Sequence, residues 1–188
     1  MLESFFSRSP HLPLAHSIWK EHLKKGDFVL DATTGNGHDT AFVAPLIFPE
    51  GKLIALDVQS SALEKAKTLL NDQYPIEWIL ESHASYPEKL EDNSVDLAIY
   101  NLGYLPGSDK NCITTKKSTE KSLFLMLHKL KKGGILSVTT YSGHPGGEEE
   151  ETFVETFLKS LERNLFGVIS FSWSNRPKSP KLFVVKKL

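Results

Sequence analysis

The sequence predicts an α/β fold, a doubly wound, Rossmann-like sheet of seven strands with six parallel strands and one antiparallel strand. Short β-type runs alternate along nearly the whole chain with stretches whose apolar residues recur three and four positions apart. This alternation is typical of a parallel sheet covered by helices on both faces. Only the eight residues SNRPKSPK separate the last two strands, which is too short for a parallel crossover, so these strands must form an antiparallel hairpin.

The individual elements follow from the same periodicities. The predicted strands lie at about 27–31, 52–57, 76–81, 95–101, 134–141, 166–173 and 182–187. A helix with an apolar stripe precedes the fifth strand, and Gly133 and Gly134 suit a cap at its C-terminus. Another helix is predicted over about 148–164. Its four glutamates, 148 to 151, would lie at the positive end of the helix dipole, so we interpret them as structural rather than as an acidic binding tail.

The composition limits the classes of protein to consider. The chain has 188 residues, 40% of them hydrophobic and 24% charged, which fits one domain over 1–188 and excludes intrinsic disorder. No apolar run approaches the roughly 20 residues of a membrane span, so no membrane partner is expected. The amino terminus lacks the layout of a secretory signal, and the single cysteine, Cys112, cannot form an internal disulfide. A cytoplasmic location is therefore expected.

The sharpest motif, DATTGNGHDT at residues 31–40, directly follows the first strand and opens a helix. Glycines here let the backbone turn tightly and approach a ligand. Thr40 stands where the dinucleotide fingerprint has its third glycine, and Asp31 would repel a pyrophosphate but attract the ammonium of a methionine moiety. The motif therefore favours S-adenosylmethionine over a nicotinamide cofactor, with a plain capped turn as the alternative. Its predicted cofactor-binding residues are Asp31, Thr33, Gly35, Asn36, Gly37, Asp39 and Thr40.

Two further strand ends extend the predicted cofactor site. Asp57 closes the second strand, 20 residues after Gly37, which is the spacing at which an acid meets ribose hydroxyls. Its alternative role is to cap the helix that starts near Ser60. The polar segment after the third strand is expected near the adenine, although His83 could instead be a surface histidine. The residues predicted at these two strand ends are Asp57, Val58, Gln59, Ser82 and His83. Asn101, at the end of the fourth strand, is predicted to bind the cofactor as well.

The fourth strand ends in the segment Asn101-Leu102-Gly103-Tyr104, at the edge where doubly wound sheets bind ligands. This segment resembles a variant, without the prolines, of the Asn/Asp-Pro-Pro-Tyr motif of amino methyltransferases. The Asn101 carbonyl can accept an N–H of an attacking amine and turn its lone pair toward the methyl group. Tyr104 would offer a flat face to the substrate base. The alternative is a turn made by Gly103, Pro106 and Gly107.

A second glycine-rich loop, at 141–147, follows the fifth strand on the same edge. It carries His144, the best-placed general base, which could instead only orient the substrate. None of the seven histidines has cysteines or acids at zinc-ligand spacing, so no metal is predicted. The chain has no G-x-S-x-G elbow, which argues against hydrolase chemistry.

Taken together, the segments DATTGNGHDT, LDVQ, ESHASY, NLGYLPGSDK and YSGHPGGEEE resemble one small bacterial family within the class I S-adenosylmethionine-dependent methyltransferases. This family was first labelled "putative rRNA methylase" and is associated with the wobble uridine of tRNA. The resemblance implies methylation of the primary amine of 5-aminomethyl-2-thiouridine. It also implies that residues around Asp31, Gly35, Asp57 and His83 hold the cofactor, and that Asn101, Tyr104 and His144 line the substrate site.

A tRNA anticodon stem-loop is then the expected partner, although the net charge of the chain is only −1. Two local clusters could contact phosphates: Lys110, Lys116 and Lys117, and Arg176, Lys178 and Lys181. Each could equally be a solvated surface. A small core would need its own loops, or a partner subunit such as a second copy in a homodimer, to grip the RNA. Alternative functions are methylation of rRNA or a small amine, and nucleotide binding without catalysis.

Overall fold

A seven-stranded sheet forms the centre of the protein in a computed structural model that describes residues 10–103, 113–176 and 178–188. The strands are β1 (Phe28–Asp31), β2 (Lys52–Asp57), β3 (Glu77–Leu80), β4 (Val95–Asn101), β5 (Leu130–Thr140), β6 (Phe166–Phe171) and β7 (Lys181–Lys187). Their order across the sheet is β3-β2-β1-β4-β5-β7-β6. The helices are α1 (His11–His22), α2 (His38–Ile47), α3 (Ser60–Leu70), α4 (Lys116–Lys129) and α5 (Gly147–Lys159), with a short 3₁₀ helix at Tyr86–Lys89.

The strand pairing confirms the predicted fold class. Strands β1 to β5 pair in parallel, and β7 runs antiparallel between β5 and β6. Six strands therefore point one way and β7 points the other, because the connection from β6 to β7 is a hairpin rather than a crossover. Within the described ranges, no helix has the length and apolar character that crossing a membrane requires.

Apolar side chains cover both faces of the sheet, as the helix-strand alternation predicts. Leu97 packs on one face with Trp19 of α1 and Val43 of α2, whereas the next residue, Ala98, packs on the opposite face with Leu123 of α4. Successive strand residues alternate between the two faces since the side-chain period of a strand is two. The core therefore holds the carboxyl ends of the strands in fixed relation to one another.

The predicted glycine cap of the helix before β5 is wrong. Helix α4 ends at Lys129, and Leu130 is already extended and begins β5. Gly133 and Gly134 lie within the strand, where the pairing register with β4 shifts. Gly133 has φ +84°, and a Cβ on Gly134 would lie 2.9 Å from the Val95 carbonyl oxygen. These glycines allow the strand to bulge against β4 rather than ending the helix.

The acidic run at the start of α5 is structural, as predicted, but two of its members are more buried than the dipole argument requires. Glu150 accepts hydrogen bonds from the hydroxyls of Thr114 at 2.8 Å and Thr119 at 2.6 Å. Glu151 accepts one from Thr140 at 2.9 Å and pairs with Lys181 at 3.0 Å. The carboxylates therefore attach α5 to neighbouring elements, since buried charges need such partners.

Candidate active site

The carboxyl ends of β1, β2 and β4 meet at one edge of the sheet. Each of these strands ends in a polar residue, respectively Asp31, Asp57 and Asn101. The order of the strands reverses between β1 and β4, which are neighbours in space but not in sequence. Crevices at such a reversal are where open α/β sheets bind ligands. The structure thus brings together three residues that the sequence predicts for the cofactor and the substrate.

Asp57 ties the glycine loop after β1 to the end of β2. Its Oδ2 accepts the Gly35 N–H at 2.9 Å, and its Oδ1 accepts the Gln59 N–H at 2.9 Å. Each carboxylate oxygen has two lone pairs, so the half-buried Asp57 retains capacity for further donors. Gly37 closes the loop with φ +83°, and a Cβ there would lie 2.6 Å from the Cβ of Ala66 in α3. Only glycine fits this close approach.

Asp31 lies beneath the glycine loop and has no solvent exposure. Its carboxyl group accepts a hydrogen bond of 2.5 Å from the Thr40 hydroxyl and one of 3.3 Å from the Thr33 N–H. Burial, followed by the nearby charge of Asp39, raises the pKa of Asp31 to about 7. The sequence predicts Asp31 as a charged anchor for an ammonium group, whereas in this environment the carboxyl group is only partly ionised at neutral pH.

Asp39 connects the end of β4 to helix α1. Its Oδ2 accepts a hydrogen bond from the Asn101 side-chain amide at 2.6 Å, and its Oδ1 lies 2.6 Å from Nε2 of His16 in α1. The Asn101 main-chain N–H donates to the Thr33 hydroxyl at 2.7 Å. Thr33 and Asp39, which are both predicted to bind the cofactor, therefore hydrogen-bond to Asn101, which is predicted to bind the substrate.

His83 is buried, so its alternative interpretation as a surface histidine is wrong. Burial lowers the pKa of His83 to about 4, and the neutral ring stands edge-on to Tyr100 with the ring centroids 5.8 Å apart. Its Nδ1 has no hydrogen-bond partner within the described part of the chain. The neighbouring Ser82 hydroxyl accepts the Ala84 N–H at 3.2 Å. The unpartnered Nδ1 of the neutral imidazole is therefore a group that a bound ligand can satisfy.

The loop after β5 lies against the end of β4, as predicted. A Cβ on Gly103 would lie 3.4 Å from Nε2 of His144, and one on Gly147 would lie 2.9 Å from the same atom. The His144 Nδ1 lies 3.0 Å from the Pro145 carbonyl oxygen. Tyr104, the third predicted substrate residue, falls outside the described residues. His144 and the chain around Asn101 therefore share one side of the crevice.

Sequence reasoning missed the contribution of α1. His16 contacts Asp39, and the buried His11 places its Nε2 3.0 Å from the hydroxyl of Tyr141. Burial and the charge of Asp39 raise the pKa of Tyr141 to about 12. The signal in the sequence is weak, since it consists only of His11 and His16 in a helical segment that also carries Lys20, Glu21 and His22.

Acidic side chains of α5 pair with both of the predicted basic clusters. Lys116 lies 3.2 Å from Glu149, and Lys178 lies 3.6 Å from Glu148. Arg176 instead lies over the ring of Trp173, at 4.1 Å from its centroid. Lys110 is among the residues that the structure does not describe. The positive potential at this edge is thus partly neutralised, although exposed pairs of this kind are weak and leave the lysines available to other anions.

Comparison with known proteins identifies the family. The family model described as "Putative rRNA methylase" matches residues 53–187. The chain belongs to this family. A tRNA (mnm(5)s(2)U34)-methyltransferase, chloroplastic, from Arabidopsis thaliana is 34% identical, over 97% of this chain and 71% of the relative.

Two solved structures are similar to this protein over nearly the whole chain. A putative rRNA-methylase from Clostridium thermocellum has a TM-score of 0.89 and 32% identity, covering 95% of this chain and 97% of its own. A putative methyltransferase from Streptococcus mutans was solved in complex with S-adenosylhomocysteine (SAH). It has a TM-score of 0.85 and 31% identity, and the match covers 95% of this chain and 98% of its own. The chain is therefore an S-adenosylmethionine-dependent methyltransferase, which confirms the predicted family and cofactor.

The crevice of this rRNA-methylase family member fits that cofactor chemically. Asp57 has acceptor capacity for vicinal hydroxyls, and the buried Oδ1 of Asn36 lacks a hydrogen-bond partner among the described residues. The individual cofactor contacts stay predictions. No group of three or more His, Cys, Asp or Glu side chains in the described ranges could hold a metal ion, and the absence of a metal likewise stays a prediction.

Proposed function

We propose that this methyltransferase acts on the primary amine of 5-aminomethyl-2-thiouridine at the wobble position of tRNA. The observation that carries the proposal is the orientation of Asn101, whose amide nitrogen donates to Asp39 at 2.6 Å. Its carbonyl oxygen is thereby turned away from Asp39 and is available to accept an N–H. An acceptor at this position suits a nucleophile that carries a hydrogen-bond donor, such as an amine, better than it suits a carbon nucleophile. The Arabidopsis relative, named for the corresponding nucleoside, supports the same substrate.

We assign cofactor binding to the ends of β1, β2 and β3. Asp57 accepts from the ribose hydroxyls, while the buried Asn36 oxygen offers a second acceptor. Ser82 and His83 lie at the adenine end, where the neutral ring of His83 has an Nδ1 without a hydrogen-bond partner among the described residues. The remaining assigned residues are Asp31, Thr33, Gly35, Gly37, Thr40, Val58 and Gln59.

The transfer needs an amine with an available lone pair. S-adenosylmethionine, when bound, supplies a methyl group on a sulfonium, so that an N–C bond forms while the C–S bond breaks and its electron pair goes to sulfur. Asn101 Oδ1 accepts one N–H of the amine and so directs the lone pair. One proton must leave the amine overall. His144, on the same side of the crevice, either takes up that proton or orients the substrate.

The tRNA would reach this crevice through its unstacked anticodon loop. Such loops are recognised by stacking and by phosphate contacts rather than through a duplex groove. Arg176 over Trp173, together with the exposed Lys116 and Lys117, offers both kinds of contact beside the predicted substrate end. Binding should therefore weaken as the salt concentration rises.

The test is methylation of defined RNA by the purified protein with labelled S-adenosylmethionine. We expect label in tRNA that carries 5-aminomethyl-2-thiouridine and none in the same tRNA already bearing the final methyl group. Mass analysis of the digested nucleosides locates the new methyl group. Label in rRNA or in a small amine, with none in the first tRNA, would overturn the proposed substrate and leave the methyltransferase activity standing.

A further inference from the structure

We propose that His16 and Asp39 act as a positioning pair that sets the orientation of the Asn101 side-chain amide, which makes helix α1 part of the active site. This inference rests on the proposed function because it deepens the role given there to Asn101. It also reassigns Asp39, which the sequence predicts as a cofactor-binding residue, to the substrate side of the crevice.

Asp39 determines which way the Asn101 side-chain amide faces. A carboxylate oxygen only accepts hydrogen bonds, and the side-chain amide of Asn101 has only one donor atom, Nδ2. The separation of 2.6 Å between Nδ2 and Oδ2 of Asp39 therefore requires that the nitrogen faces Asp39. If the amide turned over, two acceptor oxygens would face each other and the NH₂ group would face the incoming amine. The NH₂ group would then donate to the lone pair of the amine, which has to stay available for the methyl group.

His16 holds the other carboxylate oxygen of Asp39. The His16 Nε2 lies 2.6 Å from Oδ1, so each carboxylate oxygen has its own partner and the carboxylate plane has little freedom to rotate. Only 10% of the Asp39 side chain is exposed, so water cannot easily replace either partner. An N–H of His16 that donates to this carboxylate is a charge-assisted hydrogen bond, the stronger kind.

Aromatic packing in turn holds the His16 ring. Its ring stacks on Phe42 of α2 with the centroids 3.9 Å apart and the planes at 14°, and it tilts against Trp19 at 5.1 Å. Trp19 is almost completely buried. The imidazole therefore has a defined plane before any ligand arrives. Helix α1 thus carries His16, His16 holds Asp39, and Asp39 orients the side chain of Asn101 at the end of β4.

The decisive experiment compares two substitutions of His16. His16→Phe keeps the stacking on Phe42 and removes the donor, whereas His16→Gln can place an amide N–H where Nε2 stands. We expect His16→Phe to lower kcat by about tenfold while the KM values for tRNA and S-adenosylmethionine change by less than about twofold. His16→Gln should recover most of kcat. The matched control is His22→Phe, since His22 lies on the same helix but bonds the Asp96 carbonyl oxygen.

A second readout needs no substrate. The Asn101 side-chain amide signals, assigned by their absence in Asn101→Ala, should be protected from hydrogen exchange in the wild type and in His16→Gln. Asp39→Asn should remove that protection, and His16→Phe should weaken it. Equal protection in all four proteins would overturn the positioning role, as would equal kcat for His16→Phe and wild type. If wild-type protein methylates no tRNA, the proposed function fails separately, because the exchange measurement still tests the pair.

Discussion

The main-chain N–H of Gly35 donates to Oδ2 of Asp57 at 2.9 Å, which joins the glycine loop after β1 to the end of β2. These two residues are 22 positions apart in the sequence. The same carboxylate also accepts the Gln59 N–H at 2.9 Å, so it both shapes the loop and retains acceptor capacity for a ligand. Asp57 is therefore the residue whose removal should most directly affect cofactor binding.

We predict that Asp57→Ala weakens S-adenosylmethionine binding by at least about tenfold, because a hydrogen bond to a charged acceptor contributes roughly 1.5–3 kcal/mol. Isothermal titration calorimetry measures the effect directly. Glu64→Ala is the matched control, since Glu64 is an exposed carboxylate on the helix that follows β2. Unchanged affinity in Asp57→Ala would remove Asp57 from the cofactor site.

Asn101→Ala should lower the turnover number at least about tenfold with little change in cofactor affinity, because its proposed partner is the attacking amine. Single-turnover kinetics and calorimetry separate the two quantities. Asn164→Ala, which changes an exposed asparagine between α5 and β6, should behave like the wild type. A variant that loses cofactor affinity but keeps its turnover number would contradict the assignment.

Asp31 should make the protein less stable as the pH rises. Its pKa is about 7 in the folded chain against 3.8 for the unperturbed group, so the folded state binds more protons between these values. The free energy of unfolding contributed by Asp31 therefore falls as the pH increases from about 4 to about 7. At about 1.4 kcal/mol per pKa unit, the full effect approaches about 4 kcal/mol.

The measurement for Asp31 is the difference in unfolding free energy between the wild type and Asp31→Asn across that pH range. Using the difference removes the contribution of His83, whose lowered pKa acts in the opposite direction and makes stability rise with pH. Asparagine retains the shape of the side chain and can still bond the Thr40 hydroxyl. The stability of the wild type relative to the variant should decline with increasing pH, and a rising difference would show that Asp31 is ionised in the folded chain.

Gly37→Ala should destabilise the protein by roughly 2–5 kcal/mol, which combines the cost of a left-handed backbone with that of overpacking. Gly37 has φ +83°, and the added Cβ would lie 2.8 Å from the Cα of Ala66, a backbone atom that cannot move aside. Denaturant unfolding monitors the loss. A Cβ on Gly143 would have no described atom within 4 Å, so Gly143→Ala should unfold close to the wild-type midpoint.

The fold was predictable because its determinants are local in the sequence. The strand predicted at 95–101 is β4 and the one at 52–57 is β2, since each is an apolar run bounded by turn residues. The length of the last connection alone decides that β7 is antiparallel. The end of the helix before β5 was predicted wrongly from Gly133 and Gly134 because glycine permits several backbone conformations. Only contact with β4 selects the bulge.

The candidate site was predictable only in part, for a related reason. The amino-acid sequence by itself determined that Asp31, Asp57, Asn101 and the 141–147 loop share one edge of the sheet, because the carboxyl ends of parallel strands lie together. Only the tertiary structure decided which of these groups bond each other. His16 and Asp39 are 23 positions apart, and Asp39 and Asn101 are 62 apart. Such pairs depend on helix packing against the sheet, and no local periodicity encodes them.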